Sequence, residues 1–307
     1  MANIVRNGDR ARPSEAVSAH HRQVNRVLWQ VLGVNLLVAG AKIIAGLAAG
    51  SISMLADGFH SALDGSSNVI GLIGSTVASR PPDSNHPYGH QKYETFATLG
   101  IGLLLLLTSW NVLKSIVTRL LEGGVPEITP VSFAVMIITL GINILVTLYE
   151  KRQGCRLKSH LLLADAAHTR SDIFVSLSVL ASLVAVVLGW PWIDVVTASV
   201  IVVVIGHTGW QIVRRASNIL ADSAAIEVAR VREVALSVEG VRSCHKIRSR
   251  GSDRAMHLDL HIQVDGQLPL EEAHRLGHLA QNQLEKELGV TDVVVHVEPV
   301  EEGATQA

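Results

Sequence analysis

The chain has 307 residues, 48% of them hydrophobic and only 17% charged, with a formal net charge of -1. A mean hydropathy of +0.33 is too apolar for an average soluble protein, and the near-neutral balance gives no argument for a nucleic-acid partner. The two cysteines, Cys155 and Cys244, are far apart and form no CxxC pair, which argues against a disulfide framework.

Residues 1–26 form a polar tail carrying Arg6, Arg10, Arg12, Arg22 and Arg26, with no cleavable signal pattern, and they are expected to be cytoplasmic. His20 and His21 are expected to be solvated there. Six stretches then approach the ~20 mostly apolar residues that a span requires: 27–49, 52–79, 95–120, 130–149, 162–188 and 193–213. Loop charge predicts their orientation. Arg80 and Lys92 follow the second stretch, Lys151, Arg152, Arg156 and Lys158 the fourth, and Arg214-Arg215 the sixth. The alternate loops, at 50–51, 121–129 and 189–192, contain no Lys or Arg, so both termini are predicted to be cytoplasmic. The expected location is the cell's inner (plasma) membrane, as a multi-pass protein.

Beyond Arg215 the composition becomes that of a soluble domain, 218–300, after a six-helix membrane domain at 27–217. Residues 224–238 have helical periodicity, whereas 241–249 and 255–265 alternate like strands. Residues 270–288 read as a charged amphipathic helix between Pro269 and Gly289, and 292–300 as a last strand. The order α-β-β-α-β predicts a small sheet with helices on one face. The fold class is thus a membrane all-α domain of six transmembrane helices plus a C-terminal cytoplasmic α+β domain. Residues 301–307 are expected to be a disordered tail.

Two membrane stretches carry the same pattern, Leu55-Ala-Asp-x-x-His-x-x-x-Asp64 and Leu163-Ala-Asp-x-x-His-x-x-x-Asp172. On a helix, positions i, i+3 and i+7 share a face, so Asp57, His60 and Asp64 line one stripe and Asp165, His168 and Asp172 another. Ionisable groups are costly in lipid and mark functional sites there. His60, Asp64, His168 and Asp172 would supply two imidazoles and two carboxylates, a donor set suited to tetrahedral Zn²⁺. Asp57 and Asp165 would orient the histidines. One such pattern alone reads better as an interhelical hydrogen-bond network; two matched copies favour a metal.

These features together resemble the cation diffusion facilitator family, dimeric proton-coupled exporters of divalent transition metals, in particular its bacterial zinc and iron efflux transporters. The resemblance implies that His60, Asp64, His168 and Asp172 are the transport site. A histidine at position 60, where many members have Asp, is similar to the zinc-selective branch. Asp83, His86 and His90 lie in a short loop, Asp83-Ser-Asn-His-Pro-Tyr-Gly-His-Gln-Lys-Tyr-Glu94, that resembles the family's interfacial metal motif. The same residues are compatible with a polar turn capping the third span. Lys92 and Asp222 match positions of a charge lock across the dimer.

In the soluble part, His257, Asp259 and His261 share one strand face, and His274 and His278 are i, i+4 on a helix. The resemblance implies that His245, His261, His274, His296 and Glu298 bind a pair of metal ions at the dimer interface, with a ferredoxin- or metallochaperone-like fold. The alternative is ordinary surface histidine. Asn35, Lys42, Asn143 and His207 are expected to bond between helices or to snorkel, and Cys244 to be a buried thiol.

The expected function is efflux of Zn²⁺ in exchange for protons by alternating access in a homodimer, with Fe²⁺, Mn²⁺, Co²⁺ or Cd²⁺ as alternative cargo. Two other classes compete with it. An intramembrane metalloenzyme is disfavoured because the spans hold no HExxH helix. A non-transporting metal sensor or scaffold would not need a repeated site in two spans.

Overall fold

The computed structural model describes residues 13–49, 61–62, 65–122, 130–187, 192–252 and 255–300. The expected disordered tail and the motif residues Asp57, His60 and Asp64 lie outside this set. The chain divides into two compact units, one ending at Ala216 and the other beginning at Ser217.

The first unit is helical: α1 (Pro13–Ala49), α2 (Ser66–Ala78), α3 (Lys92–Glu122), α4 (Pro130–Leu157), α5 (His160–Val187) and α6 (Trp192–Leu220), the last running into the second unit. Among the described residues, Ala19–Ile44, Lys92–Thr118 and Phe133–Leu157 are long and apolar enough to cross a membrane. Their large side chains divide between two environments. Val24, Leu28, Ile101, Leu105, Leu140 and Val146 are buried between helices, whereas Leu37, Ile44, Leu107, Trp110, Ile138 and Leu145 stand exposed. Apolar rows that face outward along long helices suit lipid as their solvent.

Several boundaries depart from the sequence expectation: α6 runs on to Leu220, past the expected end at 213, and two others change the reading of the helical unit. α1 starts well before residue 27, because His20, Val24, Val27, Leu28 and Val31 form one continuous buried stripe. Arg22, Gln23 and Arg26 occupy its exposed side, which makes the segment look like a polar tail. The expected loop at 150–160 shrinks to a two-residue turn at Lys158-Ser159. The Ser159 hydroxyl accepts the Leu162 amide as an N-cap of α5 (3.3 Å). Lys158 takes a left-handed φ of 48° in the turn.

Close helix approach is written in small residues. A Cβ on Gly74 of α2 would meet the Ala97 Cβ of α3 at 2.3 Å, whereas one on Gly33 would meet nothing within 4 Å.

In the second unit, α7 (Val228–Leu236) and α8 (Leu270–Leu288) pack on a sheet in the order β1 (Ser243–Ser252), β2 (Ala255–Val264), β3 (Asp292–Pro299). β1 and β2 are antiparallel, and β2 and β3 are parallel, joined across α8. Alternation sends Leu258, Leu260, Ile262 and Val264 into a core with Val231, Val234, Leu276, Ala280 and Leu284. The odd-numbered residues of β2 therefore face away from the helices. Gly289 closes α8 in the left-handed conformation (φ 65°), where a side chain would be strained.

The packing predicts that Gly74→Ala costs about 1–3 kcal/mol by overpacking the α2–α3 contact, while Gly33→Ala is tolerated. Thermal unfolding in detergent measures both, and equal melting temperatures would contradict the close approach.

Candidate metal centres

Among the described residues, the motif helix, the α2–α3 loop and the open sheet face each gather metal-capable side chains. The first surrounds α5. Buried carboxylates need partners, and Asp165 is fully buried. The Asn68 amide of α2 donates to Asp165 Oδ2, and Asn35 of α1 donates in turn to Asn68 Oδ1 at 2.9 Å. Glu150 of α4, also fully buried, faces Asp165 and accepts the Thr169 hydroxyl at 3.2 Å. Among the described residues, nothing donates to Glu150 Oε1 or Asp165 Oδ1.

One turn further along α5, His168 and Asp172 open onto a small cavity of about 30 Å³, room for a water-sized guest. Its other polar walls are Asn35, Lys42, Ser61, Thr139, Asn143 and Thr169. Asn35, Lys42 and Asn143, expected to make only bland interhelical bonds, therefore border the same space as the motif residues. Lys42 Nζ donates to Ser61 Oγ at 2.7 Å, a bond between two of the cavity walls. His207 instead lies exposed beside Gln211. Glu150 escaped the sequence reading because span 4 was expected to stop at residue 149. The signal available was an acidic residue directly abutting an apolar run.

The second region is the loop between α2 and α3. Asp83 Oδ1 accepts the amides of Asn85 and His86 at 2.9 and 2.7 Å, which winds the loop into a tight turn. Gly89, with φ 84°, reverses the chain so that the His86 and His90 rings come to 4.3 Å. His86 Nδ1 and His90 Nε2 lie 3.3 and 3.4 Å from the two Asp83 oxygens. His90 is buried at the start of α3 and stacked on Tyr93. The three residues offer one ligand atom each within 4.8 Å of one another. The amide of His86, above all, holds the Asp83 carboxyl below its usual range, and the His86 side chain and the His90 charge act in the same direction.

The third region is on the open face of the sheet. The register places His245 opposite His261 and His261 opposite His296, one row across three strands. Glu298, two residues beyond His296 on the same face, reaches back along that row. Its oxygens lie 2.6 Å from His261 Nδ1, 3.1 Å from His245 Nε2 and 3.6 Å from His296 Nε2. A bulge makes this possible. One extra residue lies between His245 and Arg248, with Lys246 at a φ of 49°. Both His245 and Arg248 consequently face the open side, where Arg248 pairs with Asp259 at 2.6 Å. His261's hydrogen bond, chiefly, keeps the Glu298 carboxyl below its usual range, with Lys246 and His245 adding charge.

His274 lies apart from this row. It pairs with His278, the two Nε2 atoms 3.1 Å apart on the exposed side of α8. His257 sits at the far end of β2 beside Asp292 at 3.5 Å. Cys244 is buried in the core, and burial pushes its thiol up. In this protomer, Asp222 lies 3.8 Å from Arg250, and Lys92 opens α3.

Residues 28–221 match the cation efflux transmembrane domain, and residues 224–300 match the cytoplasmic domain of cation efflux proteins. The chain belongs to the cation diffusion facilitator family. An uncharacterized transporter of Methanocaldococcus jannaschii is 32% identical over 91% of this chain and all of its own length. The manganese efflux system protein MneS of Bacillus subtilis is 30% identical over 87% of this chain and 92% of its own. The cation-efflux pump FieF of Shewanella oneidensis is 29% identical over 85% and 88%. This facilitator is accordingly a multi-pass membrane transporter for efflux of divalent metal cations, with a cytoplasmic domain of the kind through which the family dimerises.

The depressed carboxyls carry a pH prediction. Asp83 and Glu298 are held below the ordinary carboxylate range, so their charge is present above that range and is lost as pH falls through the lowered value. Divalent-metal binding at these two clusters should weaken as pH falls, because protons compete with the metal for the same ligand atoms. Metal-binding isotherms across pH measure this, and affinity that stays constant or rises on acidification would contradict it.

Proposed function

We propose that the facilitator exports Zn²⁺ from the cytoplasm in exchange for protons, using His60, Asp64, His168 and Asp172 as its transport site. The observation that carries the reading is the α5 half: a buried imidazole and a carboxylate one turn apart on a polar cavity, behind a braced Asp165. Imidazole and carboxylate together suit Zn²⁺, whereas a site for Mn²⁺ would lean more on oxygen donors. MneS carries manganese in its name, so Mn²⁺ is the principal competing cargo, ahead of Fe²⁺, Co²⁺ and Cd²⁺.

In the inward-open state the four ligands are deprotonated and take the cation from the cytoplasm. Rocking of the helices opens the same site outward, where protons displace the metal and return on the ligands. An imidazole with an ordinary pKa near 6.5 can make that trade at physiological pH. Both termini lie in the cytoplasm of a plasma-membrane homodimer, with Lys92 and Asp222 locking the protomers near the membrane surface.

The loop cluster of Asp83, His86 and His90 holds a structural metal. The row of His245, His261, His296 and Glu298 binds cytoplasmic Zn²⁺ and, with His274, draws the two C-terminal domains together, which reports metal excess to the membrane domain.

Reconstituted vesicles with an imposed pH gradient and a panel of metals test the proposal. Asp172→Ala and His168→Ala should abolish Zn²⁺-coupled proton flux, and Asp165→Asn should lower metal affinity about 10–100-fold by loosening the support of His168. Undiminished coupled flux in Asp172→Ala would overturn the assignment; Mn²⁺ flux exceeding that of Zn²⁺ would reassign the cargo.

A further inference from the structure

The expectation that His20 and His21 are solvated is incorrect: they are 7% and 3% exposed at the start of the α1 stripe. A third residue meets them. Glu94, in the first turn of α3, brings Oε2 to 3.6 Å from His21 Nδ1, and the two imidazole rings are 5.2 Å apart. His20, His21 and Glu94 can each direct one ligand atom into a space where all three lie within 4.8 Å of one another.

The surroundings hold this trio in place. Ser75 of α2 lies 3.2 Å from His21 Nδ1, and the Ser159 hydroxyl donates to Glu94 Oε1 at 2.9 Å. That bond fixes one carboxylate oxygen and leaves the other turned toward the histidines. It is the outer support that metal ligands commonly have. Two buried imidazoles beside a half-buried carboxylate are expensive unless they share a charge.

We propose that His20, His21 and Glu94 form a further binding site for a divalent transition metal of the zinc or cobalt type. The site uses none of the residues assigned to transport, the loop or the sheet row. Ligand atoms on a tetrahedral zinc sit about 3.3 Å apart given bonds of about 2.0 Å, so small side-chain rotations close the trio onto an ion. Three protein ligands leave one position for water, which makes the bound metal exchangeable. A metal here fastens the first turns of α1 to α3 and, through Ser159, to the α4–α5 turn that launches the motif helix.

The test uses the full-length protein in detergent, stripped with chelator and reloaded with Zn²⁺ or Co²⁺. His20→Ala/His21→Ala should lose one metal equivalent per protomer, while Asp172→Ala keeps that equivalent whether or not the transport assignment holds. Glu94→Cys should give a cobalt–thiolate charge-transfer band that wild-type protein lacks. The proposal is overturned if the double variant binds the full complement of metal with unchanged affinity. Should that variant not fold, absence of the new band in folded Glu94→Cys overturns it equally.

Discussion

Everything near the motif helix depends on how one buried carboxylate is kept in a membrane. Asp165 has no access to water, and an unpaired ion in such surroundings costs several kcal/mol. The chain from Asn35 through Asn68 to Asp165 offsets part of that cost, with Asn68 donating to Asp165 Oδ2 and Asn35 bracing Asn68. It also fixes the rotation of α5 about its axis. His168 and Asp172, three and seven residues further on, are thereby directed at the cavity bordered by Asn35, Lys42 and Asn143. Replacing the amides with apolar residues would unfasten the same helix that presents the ligands.

The cytoplasmic row solves the opposite problem. Its histidines lie on a sheet face in contact with water, so desolvation is small and geometry is the limiting factor. β-Pairing supplies that geometry, since residues in register on neighbouring strands stand about 5 Å apart. The Lys246 bulge then shifts β1 by one residue, so that His245 joins the row while Cys244 remains in the core. The loop cluster uses a third device, a turn closed by the Asp83 carboxylate on two backbone amides. These three candidate sets of ligands therefore rest on helix packing, strand register and turn chemistry respectively.

Much of this was legible in the chain because each device leaves a local pattern. The repeated i, i+3, i+7 spacing marks Asp165, His168 and Asp172 as one stripe, and strict alternation at 256–264 places His257 and His261 opposite the core. Pro269 and Gly289 bracket α8 as expected from their backbone limits. What escaped depended on partners distant in sequence. His20 and His21 looked solvated because Arg22, Gln23 and Arg26 surround them, although the spacing of His20, Val24, Val27 and Val31 carried a helical stripe. Glu150 is fully buried only because α4 continues past its apolar run to a two-residue turn. His274 and His278 pair as their i, i+4 spacing implied, but their separation from the row follows from the exposed side of α8 they share. No strand pattern contains that information.

The central claim is that the metal carried by this facilitator rests on the His168–Asp172 face of α5. Anomalous scattering at the zinc edge, from full-length protein loaded with Zn²⁺, tests it most directly. The account predicts a zinc peak about 2.0–2.2 Å from a His168 ring nitrogen and an Asp172 oxygen. Strong zinc peaks at the loop and sheet clusters, with none at α5, would contradict it.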